Sequence, residues 1–306
     1  MAKQKKPYPQ SHLHPRFWPT WAMIAAMRIG AFLPWRLKLW IGKGLGELVY
    51  RTLKRRRHIT ETNLRLCFPE LDDAQREALV KRTFHANGIG VLETATGWCR
   101  DPEHMRHRVV FKGTEYMERA KAEGKGVLII GIHFSTLDLG GALHSLFFDA
   151  DVVYRQHNNP VFEKFMTRAR NRIFGQAIDR HDLRGVVKRI KAGNAVWYSP
   201  DQDFGRDASV FAPFFGVDAA TIKLTAKIAK MTGAPVMPLM FHRNDDDYTY
   251  TLEYLPALEG YPSGDDVADA TRVNAFIEQA IRRHPEQYLW LHRRFKTRPE
   301  GEPSLY

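Results

Sequence analysis

The stretch Gly126-Val-Leu-Ile-Ile-Gly-Ile-His-Phe-Ser-Thr-Leu-Asp138 decides the fold. A short apolar run bounded by glycines is typical of a strand that is buried on both faces of a parallel sheet. His133 follows the run directly, so we expect it at the carboxyl end of that strand, where open α/β sheets bind their ligands. The next residues predict a helix over 137–148, which makes this stretch the start of a β-α-β unit.

Apolar runs alternate with amphipathic segments on both sides of this stretch. The further predicted strands are 109–111, 152–155, 195–199, 235–241 and 248–254. The further predicted helices are 72–84, 116–122, 160–174, 182–191, 221–231 and 268–283. This alternation predicts an α/β fold with a mixed, mostly parallel sheet flanked by helices. The region 18–100 is predicted to be mainly helical.

Composition excludes a disordered chain, because 44% of the residues are hydrophobic and 18 of them are phenylalanines that can fill a core. The formal charge of +12 favours anionic partners, although a generally basic surface without a specific partner is the alternative. We predict no nucleic-acid partner, because the sequence has no helix-turn-helix, RNP or zinc-finger pattern. We also predict no metal site and no cofactor, because Cys67 and Cys99 lack metal or redox spacing and no nucleotide-binding glycine motif occurs.

The N-terminal region predicts contact with a membrane. The segment 17–41 is rich in aromatic and aliphatic residues, but Arg28, Arg36 and Lys38 interrupt it. It therefore falls short of the roughly 20 apolar residues of a spanning helix. Three interpretations stay open: a marginal spanning helix with snorkelling arginines, an amphipathic helix in the interface, or a buried core helix. The four tryptophans of the segment favour the interface.

A basic cluster follows at residues 51–58. It predicts contact with anionic lipids, and a solvated helix face is the alternative. We therefore divide the chain into a membrane-anchoring segment at 1–58 and a catalytic domain at 59–306. If the anchor spans the membrane, the basic segment beside it stays on the cytoplasmic side, so we expect the catalytic domain there.

His133 and Asp138 are the candidate catalytic pair. Asp138 is predicted in the first turn of the helix after the loop that carries His133, so the loop can fold back towards it. A carboxylate on one ring nitrogen leaves the other nitrogen free as a base. No serine or cysteine nucleophile is needed if the substrate supplies a hydroxyl, which His133 deprotonates as it attacks an acyl thioester.

Longer motifs occur along the whole chain. They are Leu13-His-Pro-Arg-Phe-Trp18, Lys54-Arg-Arg-Arg57, Asn63-Leu-Arg-Leu-Cys-Phe-Pro-Glu70, Gly131-Ile-His-Phe134, Trp197-Tyr-Ser-Pro-Asp-Gln-Asp-Phe-Gly205 and Gln287-Tyr-Leu-Trp-Leu-His-Arg-Arg-Phe-Lys-Thr-Arg-Pro-Glu-Gly301. In these motifs the chain resembles the late acyltransferases of lipid A biosynthesis, the lauroyl and palmitoleoyl transferases of Gram-negative bacteria. Close relatives often carry Glu where this chain has Asp138, and the wider acyltransferase superfamily carries Asp.

The resemblance implies a glycerolipid-acyltransferase-like fold. It implies transfer of a fatty acyl group from acyl carrier protein to a 3-hydroxyacyl chain of the lipid A precursor Kdo2-lipid IVA, at the cytoplasmic face of the inner membrane. Lauroyl is the first expectation and palmitoleoyl a close second. Two alternatives stay open: an acyltransferase for another glycolipid or glycerol phosphate, and a non-catalytic basic protein that binds the membrane surface.

The resemblance also assigns residues to the substrate. Arg170 matches a functional arginine and could bind a phosphate or a Kdo carboxylate, or else be a solvated helix cation. Asp201 could orient an acceptor group or an arginine, or cap a turn. Arg155 is expected to line the same cleft, and Arg206 to bind the acceptor or form a turn. A basic patch at 292–296 could dock acyl carrier protein or be structural.

Overall fold

A computed structural model of the protein describes residues 11–306. The strands are β1 (Val109–Lys112), β2 (Val127–Ile130), β3 (Asp151–Tyr154), β4 (Ala177–Asp179), β5 (Ala195–Tyr198), β6 (Ser209–Phe214), β7 (Val217–Ile222), β8 (Val236–Arg243) and β9 (Tyr250–Tyr254). The helices are α1 (Trp18–Phe32), α2 (Trp35–Thr52), α3 (Lys54–Cys67), α4 (Asp73–Cys99), α5 (Thr114–Ala122), α6 (Leu137–His144), α7 (Pro160–Ile173), α8 (Leu183–Lys191), α9 (Leu224–Thr232) and α10 (Asp266–Arg283).

The main sheet has seven strands in the order β1-β9-β8-β2-β5-β3-β4. The β8–β9 pair is antiparallel and the other neighbouring pairs are parallel. The predicted mixed, mostly parallel sheet is therefore confirmed. A separate two-stranded sheet, β6–β7, is antiparallel.

Strand β2 lies at the centre of the core, and this position explains why its sequence is apolar at every residue. Leu128 and Ile130 belong to the hydrophobic cluster on one face of the sheet, and Val127 and Ile129 belong to the cluster on the other face. Alternate side chains of a strand point to opposite faces, so a strand covered on both sides needs apolar residues at every position. All four side chains are fully buried.

The β6–β7 hairpin was not predicted, and the helix predicted over 221–231 begins too early. Residues Thr221 and Ile222 end β7, and the helix α9 begins only at Leu224. The hairpin contains Pro213 and several alanines, which are depleted in strands, so its sequence signal is weak. Tertiary packing supplies the missing stabilisation, since the Asn274 side chain on α10 donates a hydrogen bond to the Pro213 carbonyl at 2.8 Å.

Helix α2 packs on α4 without side chains between the two backbones at Gly88. A Cβ atom added to Gly88 of α4 would lie 2.1 Å from the Gly42 oxygen and 2.5 Å from the Gly46 nitrogen, both on α2. The predicted boundary between the anchoring segment and the catalytic domain, after residue 58, falls inside α3. The helices α1 and α2 before it pack on α4 of the predicted catalytic domain. Of the helices in residues 11–306, none has the length and apolar character needed to cross a bilayer.

Lys38 is buried rather than directed to solvent. Its Nζ donates hydrogen bonds to the Ala31 carbonyl at 2.6 Å and to the Thr96 hydroxyl at 2.8 Å. Burial, with a smaller contribution from Arg100, lowers the pKa of Lys38 to about 8. This lysine therefore joins α2 to α1 and α4, and it does not contribute to an outward-facing basic surface.

Gly88→Ala should lower the free energy of unfolding by about 2 kcal/mol or more, because the new methyl group meets backbone atoms that cannot rotate away. Gly44→Ala on the exposed side of α2 is the control. A Cβ there meets no atom within 4 Å, and the substitution should leave stability unchanged or raise it by up to ~1 kcal/mol. Urea unfolding followed by tryptophan fluorescence measures both. Equal stabilities of the two variants would show that the α2–α4 contact is not tight.

Candidate active site

Three neighbouring strands bring polar side chains to one edge of the sheet. His133 follows β2, Asp201 follows β5 and Arg155 follows β3, and β5 lies between β2 and β3. A cavity of about 310 Å³ opens at this edge, and His133, Asp138, Arg155 and Arg170 all line it. Most of its other lining side chains are apolar. They include Leu137, Val152, Val153, Phe174, Trp197, Leu239, Phe241 and Leu252.

Asp201 is the carboxylate that holds His133. Its Oδ1 lies 2.6 Å from Nδ1 of His133, and its Oδ2 accepts a hydrogen bond from the backbone N–H of His133 at 2.9 Å. An ionised carboxylate can only accept hydrogen bonds, so Nδ1 carries the proton and Nε2 is left with a free lone pair. Asp201 has a fully buried side chain, whereas that of His133 is 26% exposed.

The electrostatic interaction between His133 and Asp201 shifts the pKa of both residues. Burial alone would lower the pKa of His133, but the Asp201 carboxylate outweighs it, with a smaller contribution from Asp138, so the pKa is raised above 6.5. Burial would raise the pKa of Asp201, but the charge and N–H groups of His133 outweigh it and the pKa is lowered. Asp201 therefore stays ionised, and His133 is a stronger base than an ordinary histidine.

The expected hydrogen bond between His133 and Asp138 is not formed. Asp138 instead accepts hydrogen bonds from the Trp98 indole at 3.0 Å and from the Thr94 hydroxyl at 3.3 Å. The cause is the close packing of α6 on α4: a Cβ added to Gly97 would lie 2.9 Å from the Asp138 carbonyl oxygen. The Asp138 side chain is thereby directed towards α4, and it reaches His133 only through its electrostatic field.

Arg170 lies close to the Asp138 carboxylate in the lining of the cavity. Its Nη2 lies 3.8 Å from Oδ1 of Asp138, and its side chain is only 17% exposed. The guanidinium lies over the rings of Trp98 and Tyr154, at 5.8 Å and 5.3 Å from their centroids. The arginine is therefore part of the cavity and not a solvated helix cation. Arg155 is exposed and lines the same cavity.

Arg206 is not brought to this site. It does not line the cavity, its Nη2 donates a hydrogen bond to the Arg298 carbonyl at 2.7 Å, and its guanidinium lies over the Phe211 ring. These contacts place Arg206 beside β6 and against the backbone of Arg298. Asp201 also differs from its two predicted roles, since it orients His133 and neither caps a turn nor contacts an arginine.

A late segment of the chain, residues 287–289, supports the loop that carries His133 and Ser135. The backbone N–H of Ser135 donates to the Gln287 carbonyl at 2.7 Å, and that of Leu289 donates to the His133 carbonyl at 3.0 Å. The Tyr288 hydroxyl donates to the Asp201 carbonyl at 3.2 Å. Sequence reasoning did not identify this role, and the only signal for it was the long motif that begins at Gln287.

The basic patch at 292–296 is partly structural. The Arg294 side chain is buried and donates hydrogen bonds to the Ala220 carbonyl and the Thr221 hydroxyl. It also lies over the Phe214 ring. Arg294 therefore holds the β6–β7 hairpin, and it is not on the surface where a partner protein docks.

Comparison with known proteins identifies the chemistry of this site. The family model of the bacterial lipid A biosynthesis acyltransferases matches residues 5–297. The chain is 40% identical over 295 residues to a lipid A biosynthesis lauroyltransferase of Escherichia coli, covering 96% of each protein. It is 39% identical over 300 residues to a lipid A biosynthesis palmitoleoyltransferase of the same organism, covering 98% of each.

A lipid A biosynthesis myristoyltransferase of Escherichia coli is 30% identical over 301 residues, which are 98% of this chain and 93% of that protein. The similarity therefore extends over the strands that carry His133 and Asp201 and over the motif that supports them. With that coverage and a histidine base at the mouth of an apolar cavity, the chain belongs to the bacterial lipid A biosynthesis acyltransferases and is an acyltransferase.

Proposed function

We propose that this enzyme transfers a fatty acyl group from acyl carrier protein to the hydroxyl of a 3-hydroxyacyl chain on Kdo2-lipid IVA. The observation that carries the proposal is the His133–Asp201 pair, with Nε2 free, beside a largely apolar cavity. Among the described residues that line this cavity there is no serine, threonine, cysteine or lysine. A substrate hydroxyl is therefore the nucleophile in the proposed reaction.

The proposed reaction has two proton transfers. Nε2 of His133 takes the proton of the acceptor hydroxyl while its oxygen attacks the thioester carbonyl carbon. The tetrahedral intermediate then collapses, the carbon–sulfur bond breaks, and the leaving thiolate takes the proton from the imidazolium. One ester and one thiol are formed from one alcohol and one thioester. Asp201 stabilises the imidazolium between the two transfers.

The shape of the cavity supports a fatty acyl chain. Its lining follows β3 from Arg155 at the carboxyl end back to Ala150 before the strand. The five steps from Ala150 to Arg155 span about 16 Å of extended chain. Lauroyl is our first choice and palmitoleoyl the second, because the two corresponding relatives are similar to this chain at 40% and 39% identity.

Arg170 is proposed to bind an anionic group of the acceptor, a phosphate or a Kdo carboxylate, together with Arg155. At 3.8 Å from Asp138 it is close enough to be oriented without being fully neutralised by that carboxylate. Its two ring contacts fix the guanidinium plane. The planar fork can then form two parallel hydrogen bonds, which an ammonium group cannot reproduce.

The outer faces of α1 and α2 support docking on the inner membrane, with the catalytic domain on the cytoplasmic side. Ile29, Trp40 and Leu48 are 68%, 75% and 58% exposed, although each is a large apolar residue. Such side chains are stabilised by insertion between lipid head groups. Lys54 and Arg55 follow on the exposed start of α3 and form no salt bridge within residues 11–306, so they are free to attract anionic lipids.

His133→Ala should reduce kcat/KM for transfer by about 100- to 10,000-fold, because the general base is lost. The assay uses acyl carrier protein thioesters of several chain lengths, with mass spectrometry of the lipid product. The exposed His107→Ala, which lies outside the cavity, is the control and should retain full activity. Activity of His133→Ala within a few-fold of the wild type would contradict the proposal.

The pH profile tests the role of Asp201. Because His133 must be neutral to act as a base and its pKa is raised, the acidic limb of kcat/KM should lie above pH 6.5. Asp201→Asn removes the main cause of that increase, so the limb should move to lower pH while the maximal rate falls. Asp138→Asn should move the limb less, because Asp138 makes the smaller contribution. A larger displacement in Asp138→Asn than in Asp201→Asn would reverse the two roles.

Arg170→Lys should lower kcat/KM almost as much as Arg170→Ala, by about 10- to 150-fold, which corresponds to one charge-assisted contact of roughly 1.5 to 3 kcal/mol. The transfer assay with the complete acceptor measures this loss. Arg184→Lys, on the exposed surface of α8, is the matched control. Full activity of Arg170→Lys would show that positive charge alone is sufficient.

Replacing Ile29, Trp40 and Leu48 together by serine should weaken binding to anionic vesicles by about 100-fold or more, since each large apolar side chain contributes roughly 1.5 to 3 kcal/mol when buried. Sedimentation with vesicles measures the bound fraction. Val267→Ser with Met231→Ser is the control, because both residues are similarly exposed but lie on α10 and α9. Equal loss in the two variants would place the docking surface elsewhere.

A further inference from the structure

A second cavity, of about 560 Å³, lies between α1, the end of α4 and α7. We call it the α1–α7 cavity. Trp21, Ile24, Arg28 and Phe32 line it from one face of α1. Residues of α7 at positions 161, 164, 165, 168, 169 and 172 line it from the other side, with the spacing of one helix face. His12, Trp98 and Cys99 complete the lining.

Its charge is entirely positive among the described lining residues. Arg28, Lys164, Arg168 and Arg172 line the cavity, and none of these four forms a salt bridge within the described part of the chain. The Arg172 guanidinium is fixed by the carbonyls of Gly97, Trp98 and Arg100 at the end of α4, which leave its charge uncompensated by any carboxylate.

The rest of the lining is apolar. Trp98, Phe165 and Ile24 contribute rings and an aliphatic side chain beneath the cations. A surface of this kind matches a molecule that has both an anionic group and a hydrocarbon chain. A phosphorylated lipid has this composition, whereas a free phosphate would leave the apolar surface unused.

The α1–α7 cavity is joined to the active site through shared elements. The Trp98 indole N–H binds Asp138, which lines the active-site cavity, while Trp98 also lines the α1–α7 cavity. Helix α7 carries Arg170 into the active-site cavity and Arg168 and Arg172 into the second one. A lipid in the α1–α7 cavity therefore lies one helix away from His133 and next to the exposed apolar face of α1.

We propose that the α1–α7 cavity binds the phosphorylated acceptor lipid, with a phosphate on Arg28, Lys164 and Arg168 and an acyl chain against Trp98 and Phe165. The active-site cavity then holds the acyl chain of the donor and, beside His133, the hydroxyl of the acceptor, while a second anionic group of the same acceptor reaches Arg170. This inference rests on the proposed function, because it assigns the place of its acceptor.

Arg28→Gln combined with Arg168→Gln should raise KM for the phosphorylated acceptor by roughly tenfold or more and leave KM for the donor thioester unchanged. The increase should shrink with an acceptor from which the phosphates have been removed. Arg184→Gln is the control for the loss of surface charge. An unchanged KM for the acceptor, in an enzyme that still depends on His133, would overturn this inference and leave the proposed function intact.

A binding measurement separates the acceptor from other lipids. Cys99 is half-buried in the α1–α7 cavity, whereas Cys67 is buried in the main core, so the rate of Cys99 modification by a small thiol reagent reports on occupancy. Burial raises the pKa of Cys99, so the reaction is run at alkaline pH. The phosphorylated acceptor should slow modification in the full-length His133→Ala variant. Equal protection by phosphatidylglycerol would assign the cavity to a bulk membrane lipid, and no protection by either would overturn the inference.

Discussion

The carboxylate of Asp201 has no contact with solvent, and this constraint governs the catalytic edge of the sheet. A buried charge is strongly destabilising unless hydrogen-bond donors surround it. Here His133 donates a hydrogen bond to each carboxylate oxygen, from its ring N–H to Oδ1 and from its backbone N–H to Oδ2. The orientation of the imidazole is therefore fixed by the hydrogen bonds that the buried Asp201 carboxylate requires. The loop after β2 and the loop after β5 must keep their relative positions for this to hold.

The two acidic residues near His133 have separate tasks. Asp201 fixes the tautomer through direct hydrogen bonds, whereas Asp138 acts on His133 only through its field and is bound by Trp98 and Thr94. Asp138 also lies beside Arg170, so it determines where that cation stands in the cavity. One carboxylate thus sets the basicity of the histidine, and the other sets the position of a cation that lines the cavity.

The elements around His133 could be predicted from the sequence because their signals are local. The apolar run of β2 and the start of α6 after the His133 loop each need only a few neighbouring residues to be recognised. The partner of His133 could not be predicted in this way, since Asp201 is 68 residues away and reaches it only because β5 pairs with β2. Asp138 was favoured because it is near in sequence, but the packing of α6 on α4 turns it away. Strand order and helix packing are properties of the whole chain.

The support that residues 287–289 give to the His133 loop has a consequence for folding. The loop that carries His133 and Ser135 follows β2, whereas its backbone partners, Gln287 and Leu289, lie after α10, far along the sequence. Contacts between distant parts of a chain form only after both parts exist, and they form slowly. A chain in which α1, α2 and α4 have already packed can therefore still lack the hydrogen-bond partners of the His133 loop, so this loop is completed late in folding.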